Sequence, residues 1–234
     1  MTSQPPRLRG REVTRLEALS DAVFGFAATL LVVSLEVPQT FPELTASLRG
    51  FVAFAFSFTM LILIWVAHNG YFRRYGLQDG WTVFLNSVLL FLVLFYVYPL
   101  KFLSTALSSL FLRVGPSKPM ITHESQMSWL MIIYGLGFIA VFSCLALLYR
   151  HAGTRWRELD LDEPERMEAR AWFRHYLIFA GVGCLSIAIV LAGGPHWISG
   201  VIYGLIGPLC HWNGKVTRRQ VAELEQRPAQ AQGL

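Results

Sequence analysis

Six long apolar runs constrain the fold of this chain more than any other feature of its sequence. A membrane-spanning helix needs about 20 mostly apolar residues, and the six runs approach that length. The predicted spans are 16–37, 50–67, 81–99, 129–149, 173–192 and 196–212. Lys, Arg, Asp and Glu make up only 15% of the chain, well below the roughly 25% of a soluble domain. The sequence therefore predicts an all-α integral membrane protein with six transmembrane helices.

The positions of the basic residues predict the orientation of these spans. Short loops that carry Lys and Arg stay on the cytoplasmic side of a membrane. If the N-terminus is cytoplasmic, the outer segments hold only four of the 20 basic residues, namely Arg49, Lys101, Arg113 and Lys118. Both termini are therefore expected in the cytoplasm. The net charge of +5 is then loop charge beside a lipid bilayer, and we expect no nucleic-acid partner and identify no protein partner other than the chain itself.

The connecting segments complete the predicted organisation. We predict one six-helix unit over residues 1–215 and a polar tail over 216–234, with no removable signal peptide. The outer link after the third span begins "LKFLSTALSSLF", whose apolar spacing suits a short interfacial helix. The inner 150–174 link carries mixed charges and predicts a solvated, salt-bridged helix that extends inward from span five. The "GGPH" stretch predicts a tight outer turn.

Motifs for catalysis or metal binding are missing from the sequence. Cys144, Cys184 and Cys210 are odd in number, lie in apolar runs and form no CxxC pair, so we expect buried free thiols rather than a disulfide or zinc site. The charged 150–174 link lacks the ligand pattern and central glycine of a calcium loop. No HExxH, Ser/His/Asp order or glycine-rich phosphate loop occurs. The sequence predicts no catalytic residue, no metal, no cofactor and no enzyme.

The first span, "RLEALSDAVFGFAATLLVVSLEVP", has an acidic residue just inside its entrance. Thr14 and Glu17 have the spacing of a capping box, and Asp21 then lies in the positive half of the helix dipole. A charge inside a bilayer costs about 2.5–3.5 kcal/mol, so Asp21 requires a polar environment. We predict a structural polar network at the cytoplasmic ends of the first three spans, composed of Arg15, Ser20, Asp21, His68, Asn69, Asp79 and Asn86.

Two roles for this network remain open at the level of sequence. The first joins three helices through hydrogen bonds worth about 0.6–2 kcal/mol each. The second is proton coupling in a small membrane carrier, in which Asp21 and His68 titrate. Such carriers usually place their coupling groups near the bilayer midplane, whereas these residues lie near one end. A membrane scaffold that transports nothing is a third interpretation of the same six spans.

Several residues of the first three spans follow the pattern of a known family. The pattern begins with Arg15, Leu19, Ser20 and Asp21, and continues with Thr29, Trp65, His68, Asn69, Phe72, Asp79, Asn86 and Pro99. On these residues the chain resembles bacterial members of the lysosomal/endosomal transmembrane potassium channel family. The family motif has Phe-Ser-Asp where this chain has Leu19 before the serine. Leucine keeps the apolar bulk but loses the packing of a ring. The last three spans match only in topology.

The resemblance implies a homotetrameric potassium-permeable cation channel in a bacterial inner membrane, with four copies of helix one around a central pore. Phe26, Leu30 and Val33 share one helical stripe, and in this arrangement they form apolar rings that gate by dewetting. Thr29 lies beside the stripe. The resemblance implies that position 26 is the narrowest point, where the phenyl ring either narrows the pore or lies aside. The permeant ion is K⁺ or also other monovalent cations. No TVGYG-like filter occurs, so we predict weak discrimination between K⁺ and Na⁺.

Overall fold

The computed structural model describes residues 8–10, 12–33, 39–111 and 123–231, and the regular elements in these ranges are all helices. The first three helices are long and follow one another closely. A second group of four helices, all after residue 123, completes the described chain. The helices are α1 (Arg15–Val33), α2 (Phe41–Tyr75), α3 (Gly80–Phe111), α4 (Glu124–Thr154), α5 (Glu163–Leu191), α6 (His196–Val201) and α7 (Ile206–Ala231), with a 3₁₀ turn at Ile202–Leu205 between the last two.

Five helical segments of the described chain are long and apolar enough to cross a membrane. They are Arg15–Val33, Phe54–Tyr75, Gly80–Phe102, Glu124–Thr154 and Glu163–Leu191. These segments confirm the all-α membrane class. The sixth predicted span, 196–212, is divided among α6, the 3₁₀ turn and the start of α7. Pro208 explains the division, because its ring clashes with the carbonyl four residues earlier and removes one helical hydrogen bond.

The connections differ from the sequence-based expectations at one point. Helix α3 continues through Pro99 to Phe111, so the stretch after the third span is helical as predicted but forms one continuous helix with that span. Proline removes one hydrogen bond from a helix interior without always ending the helix. Here the Tyr134 hydroxyl of α4 donates a hydrogen bond to the Pro99 carbonyl oxygen. This contact holds α3 against α4 at the proline.

The 150–174 link has the predicted structure. Helix α5 begins at Glu163, well before the apolar run, and Asp162 caps it by accepting a hydrogen bond from the Glu165 backbone N–H at 2.8 Å. The early turns of α5 carry two ion pairs, Arg9–Glu165 at 2.7 Å and Arg74–Glu168 at 2.6 Å. At the other end of α5, Gly193 adopts a positive φ of 72° in the predicted outer turn.

The core of the bundle contains many aromatic rings at the ends of the helices that meet near the α4–α5 turn. Tyr71 and Tyr75 of α2 are buried, and each has its ring centroid within 5.7 Å of the Tyr149 ring of α4. Tyr176 of α5 lies 5.4 Å from the same Tyr149 ring. These edge-on and tilted contacts give rigid packing between α2, α4 and α5. Helix α1 packs on the other side, against α2 and α3.

The three cysteines are free thiols, as predicted. The expectation that all three are buried is wrong. Cys144 is buried and Cys210 is half-buried, but Cys184 lies on an exposed face of α5. Their apolar sequence surroundings predict a membrane environment, and that environment includes positions that face lipid as well as positions in the bundle core.

Gly137 allows α4 to approach α3 closely, and its substitution by alanine tests this packing. A Cβ atom at position 137 would lie 2.0 Å from the Tyr96 ring, and the Tyr96 hydroxyl is held by the Ile133 carbonyl oxygen at 3.2 Å. We expect Gly137→Ala to lower the free energy of unfolding by about 1–3 kcal/mol. Thermal unfolding in detergent measures this change.

Gly181→Ala is the matched control for this prediction. Gly181 lies in the exposed face of α5, and no atom lies within 4 Å of the added Cβ. We expect no loss of stability there, because alanine favours helix over glycine by about 1 kcal/mol. Equal melting temperatures for Gly137→Ala and Gly181→Ala would show that the Tyr96 ring moves aside freely.

Candidate pore helix and its polar anchors

Helix α1 begins with the predicted capping box. The Thr14 hydroxyl accepts a hydrogen bond from the Glu17 backbone N–H at 3.2 Å, and the Glu17 carboxylate accepts one from the Thr14 backbone N–H at 2.8 Å. These two bonds satisfy donors that would otherwise lack partners at a helix start. Thr14 is therefore the residue that sets where α1 begins.

A buried chain of hydrogen bonds joins α1 to α3 and α2. The Ser20 hydroxyl donates to the Leu16 carbonyl oxygen at 2.8 Å and accepts from the Asn86 side-chain amide at 2.9 Å. The Asn86 amide oxygen then faces the His68 Nε2 atom at 2.7 Å. Because an amide oxygen only accepts, His68 donates from Nε2. All three side chains are buried.

This chain of bonds fixes the tautomer of His68. With the proton on Nε2, the Nδ1 atom is an acceptor, and it has no hydrogen-bond partner among the described residues. The ring contacts Phe72 at a centroid distance of 4.7 Å and Phe24 of α1 at 5.5 Å. His68 is therefore a neutral ring packed between aromatic side chains, which suits a structural anchor for α1.

Asp21 lies outside this buried chain. Its carboxylate accepts a hydrogen bond from the Trp65 indole N–H of α2 at 2.8 Å, on an exposed side of the helix pair. The predicted network left out Trp65, although the family pattern included it. The sequence did contain a signal for this contact. Trp65 lies one turn before His68 on α2, and its indole N–H can only donate, which suits an acceptor such as the Asp21 carboxylate.

Asp79 forms a third, separate group at the start of α3. Its carboxylate accepts hydrogen bonds from the Thr82 hydroxyl at 2.5 Å and from His151 Nε2 at 2.7 Å, and Arg155 lies 3.4 Å away. Burial acts to raise the pKa of Asp79, but the hydrogen bonds from Thr82 and His151 outweigh it and hold the pKa below its ordinary value. Asp79 thus joins α3 to the end of α4 as a carboxylate.

The predicted seven-residue network is therefore divided into parts. The structure joins Ser20, Asn86 and His68, and it binds Asp21 and Asp79 to other partners. Arg15 and Asn69 make no side-chain hydrogen bond or ion pair within the described ranges. The sequence pattern identified helices one to three as the place of the network but did not resolve these separate contacts.

The two faces of α1 differ in their environment. Phe24, Ala27 and Leu31 are buried against the rest of the bundle. On the opposite face, Phe26 is 58% exposed and Val33 is 77% exposed. Thr29 lies between these two residues on the same face and is also exposed, and its hydroxyl donates to the Phe26 carbonyl oxygen at 2.7 Å. The exposed face of α1 is thus apolar, with one hydroxyl oxygen whose lone pairs are not used by this bond.

Leu30 occupies the boundary between the two faces. It is half-buried and packs against the hydrophobic core. Of the three residues predicted to form the constriction, Phe26 and Val33 therefore lie on the exposed face, and Leu30 lies at its edge. Helical spacing explains this difference. An α-helix does not have a whole number of residues per turn, so Leu30 and Val33 lie on opposite sides of a line drawn through Phe26 along the helix axis.

Comparison with known proteins agrees with this architecture. The profile of the family described as "Endosomal/lysosomal potassium channel TMEM175" matches residues 15–96, the range that contains α1 and its polar anchors. A potassium channel of Marivirga tractuosa is 36% identical over 231 residues, which cover 93% of each chain. The chain belongs to the TMEM175 potassium-channel family. A second relative, a potassium channel of Chamaesiphon minutus, is 30% identical over 80% of this chain and 88% of its own length.

Two solved structures place the fold in the same TMEM175 family. A crystal structure of a threonine-to-alanine variant of the potassium channel MtTMEM175 superimposes with a TM-score of 0.84 at 34% identity, covering 93% of this chain and 99% of that one. The lysosomal potassium-selective channel TMEM175 homologue from Chamaesiphon minutus gives 0.57 at 26% identity, over 87% and 96% of the chains.

Family membership confirms three of the sequence-based predictions. The chain is a bacterial-type relative of the endosomal and lysosomal potassium channels, it is a multi-pass membrane protein, and its class is ion channel rather than enzyme. The prediction of a potassium-permeable channel is confirmed for the family to which the chain belongs.

Proposed function

We propose that this chain conducts K⁺ as a homotetramer, with four copies of α1 around a central pore. One observation carries the proposal: α1 is anchored to its own subunit by its buried face, while its opposite face is apolar and unpartnered within the described chain. The relatives from Marivirga tractuosa and Chamaesiphon minutus, both named as potassium channels, support an ion pathway. A four-fold arrangement places the exposed faces of α1 toward one another.

The constriction in this proposal consists of rings of Phe26 and Val33, with Thr29 between them and Leu30 at the subunit boundary. Phe26 and Val33 are seven residues apart, so the rings lie about 10 Å apart along the axis. Apolar rings of this kind close a pore by expelling water. Thr29 supplies a hydroxyl oxygen, and we propose only weak discrimination of K⁺ from other monovalent cations.

The proposed subunit crosses the membrane six times and has both termini in the cytoplasm of a bacterium, with the inner membrane as its location. In this arrangement α6, the 3₁₀ turn and the first part of α7 form the sixth crossing. The ion pairs of Arg9 and Arg74 with α5 then lie at the cytoplasmic side, as expected for retained basic residues. Helix α7 continues from the 1–215 unit into the 216–234 tail.

The geometry gives no support to the carrier or scaffold interpretations. A proton-coupled carrier requires Asp21 and His68 to act together, but Asp21 bonds to Trp65 on an exposed side and His68 bonds to Asn86 in the core. A scaffold leaves the exposed apolar face of α1 without a role. The channel proposal accounts for both features.

Cysteine accessibility tests whether the exposed face of α1 lines water or lipid. In a background with Cys184 and Cys210 replaced by alanine, we expect a positively charged, water-soluble thiol reagent to block K⁺ flux through Phe26→Cys or Val33→Cys channels in liposomes. A lipid-facing thiol does not ionise and reacts slowly, because only the thiolate is nucleophilic.

Leu136→Cys is the matched control, since Leu136 is 54% exposed on α4 and has no place in the proposed pore. Unblocked flux through the α1 variants, together with labelling no faster than at position 136, would reject the pore-lining role of α1. An absence of K⁺ flux from well-folded protein would reject the channel function itself.

A further inference from the structure

Arg9 lies outside the proposed pore, and its side chain donates four hydrogen bonds. Its Nη1 and Nη2 groups donate to both oxygens of Glu165 at 2.9 and 2.7 Å. Its Nε donates to the Leu159 carbonyl oxygen at 2.7 Å, and Nη2 also donates to the Asp160 carbonyl oxygen at 3.0 Å. A two-pronged arginine–carboxylate pair of this kind is both strong and geometrically specific.

The site that receives Arg9 is built by the α4–α5 turn. Asp160 adopts a positive φ of 46°, which turns the backbone so that consecutive carbonyl groups face the guanidinium. Glu165 is oriented from a second side, because its carboxylate also accepts the Asp162 backbone N–H at 3.2 Å in the α5 capping box. The groups that bind Arg9 are therefore also oriented by contacts that do not involve Arg9.

Gly10, the residue after Arg9, attaches the same N-terminal segment to α2. The Gly10 backbone N–H donates to the Arg73 carbonyl oxygen at 3.2 Å. A Cβ atom at position 10 would lie 2.7 Å from the Phe72 carbonyl oxygen, so glycine is needed for this approach. We name residues 8–10 the strap, because they connect α1 to both α2 and the α4–α5 turn.

The strap is close to the start of α1 along the chain. Only residues 11–14 separate Gly10 from Arg15, the first residue of α1. The five residue steps from Gly10 to Arg15 span at most about 18 Å even when fully extended. Movement of the inner end of α1 is therefore limited by the attachment of the strap to the α4–α5 turn.

From this connection we infer that Arg9 is a positioning residue for the pore helix: its pair with Glu165 holds the inner end of α1 and sets how tightly the constriction closes. The inference rests on the proposed function, in which α1 lines the pore. The buried Ser20–Asn86–His68 chain holds α1 one to two turns further along, so the strap and this chain together set the position of α1 ahead of the constriction.

Disruption of the Arg9–Glu165 pair gives the first test. We expect Arg9→Ala and Glu165→Gln each to raise K⁺ flux per channel in liposomes by about fivefold, the lower end of usual coupling between linked sites. The double variant should show no larger effect than either single variant, because both remove one interaction. Arg9→Lys keeps the positive charge but loses the two parallel hydrogen bonds of the guanidinium. Its K⁺ flux should therefore lie between the values for wild type and Arg9→Ala.

The Arg74–Glu168 pair is the matched control. Glu168 lies one turn after Glu165 on the same helix, and the two ion pairs have similar lengths and side-chain exposure. Glu168→Gln should lower the melting temperature but leave flux unchanged. Exchange of the charges in Arg9→Glu with Glu165→Arg should restore part of the normal flux, since the pair re-forms without the two carbonyl bonds.

The outcomes separate this inference from the proposed function. Equal flux changes for Glu165→Gln and Glu168→Gln, or stability changes without any flux change, would overturn the role of Arg9. If thiol block at positions 26 and 33 shows that α1 lines the pore, that result stands whatever the strap variants do. Glu165→Gln changes no side-chain volume, so it supplies the comparison if Arg9→Ala protein does not fold.

Discussion

Phe26→Ser is expected to raise K⁺ flux through the channel by about tenfold or more, which corresponds to a barrier lowered by about 1.4 kcal/mol. Phe26 is 58% exposed on the face of α1 that we place around the pore. In a tetramer the substitution replaces four phenyl rings by four hydroxyl groups. The constriction then becomes both wider and able to hydrogen-bond to water, so the dewetted state loses its stability.

The measurement is K⁺ flux from liposomes that contain equal amounts of folded channel, with single-channel conductance as a second readout. Phe91→Ser is the matched control, because Phe91 of α3 is similarly exposed at 66% but lies outside the proposed pore. Flux through Phe26→Ser that matches the wild type and Phe91→Ser would remove position 26 from the constriction. Unequal protein amounts are excluded by measuring the amount of channel protein in the same vesicles.

The helices of this protein could be predicted from sequence because hydropathy and charge act locally. The long apolar runs predicted the membrane segments, and the mixed charges of 150–174 predicted the early start of α5 at Glu163. The last span was harder to predict. Pro208 and the nearby glycines interrupt the helix without ending it, and composition alone does not tell a 3₁₀ turn from a break.

The polar anchors show what could not be predicted from sequence. The sequence placed Ser20, Asn86 and His68 at similar depth, but it did not show which atoms meet. Asp79 pairs with His151 of α4 at 2.7 Å, a residue outside the predicted network. Contacts between helices depend on how each helix is rotated about its axis, and the rotation follows from packing of whole faces rather than from any one residue.

The contacts of the strap could not be predicted from sequence patterns either. Arg9 is one of several basic residues near the N-terminus, where charge predicts orientation but not a partner. Its partners lie about 150 positions away in the α4–α5 turn. The site exists because Asp160 reverses the backbone and the capping box orients Glu165, and neither feature has a signature near residue 9.

Asn86→Ala is expected to cause the largest loss of stability among the substitutions considered, about 2–3 kcal/mol in the free energy of unfolding. Asn86 is the central member of the buried chain, donating to Ser20 and accepting from His68. Its removal leaves the His68 Nε2–H without an acceptor and Ser20 without a donor, in a region that water does not readily reach. Two buried groups then lose their partners through one substitution, whereas interhelical hydrogen bonds lost singly in a membrane average about 0.6 kcal/mol.

Unfolding in detergent, followed by near-UV circular dichroism, measures this loss. Ser87→Ala is the neighbouring control, because among the described residues the exposed Ser87 hydroxyl bonds only to the Val83 carbonyl oxygen of its own helix. We expect that variant to stay within about 0.5 kcal/mol of wild type. His68→Ala should cost less when Asn86 is already alanine than in the wild type, because both residues act through one bond. If the two effects simply add, or if Asn86→Ala is as stable as Ser87→Ala, the buried chain does not anchor α1, and the rotation of α1 must be set by its apolar face alone.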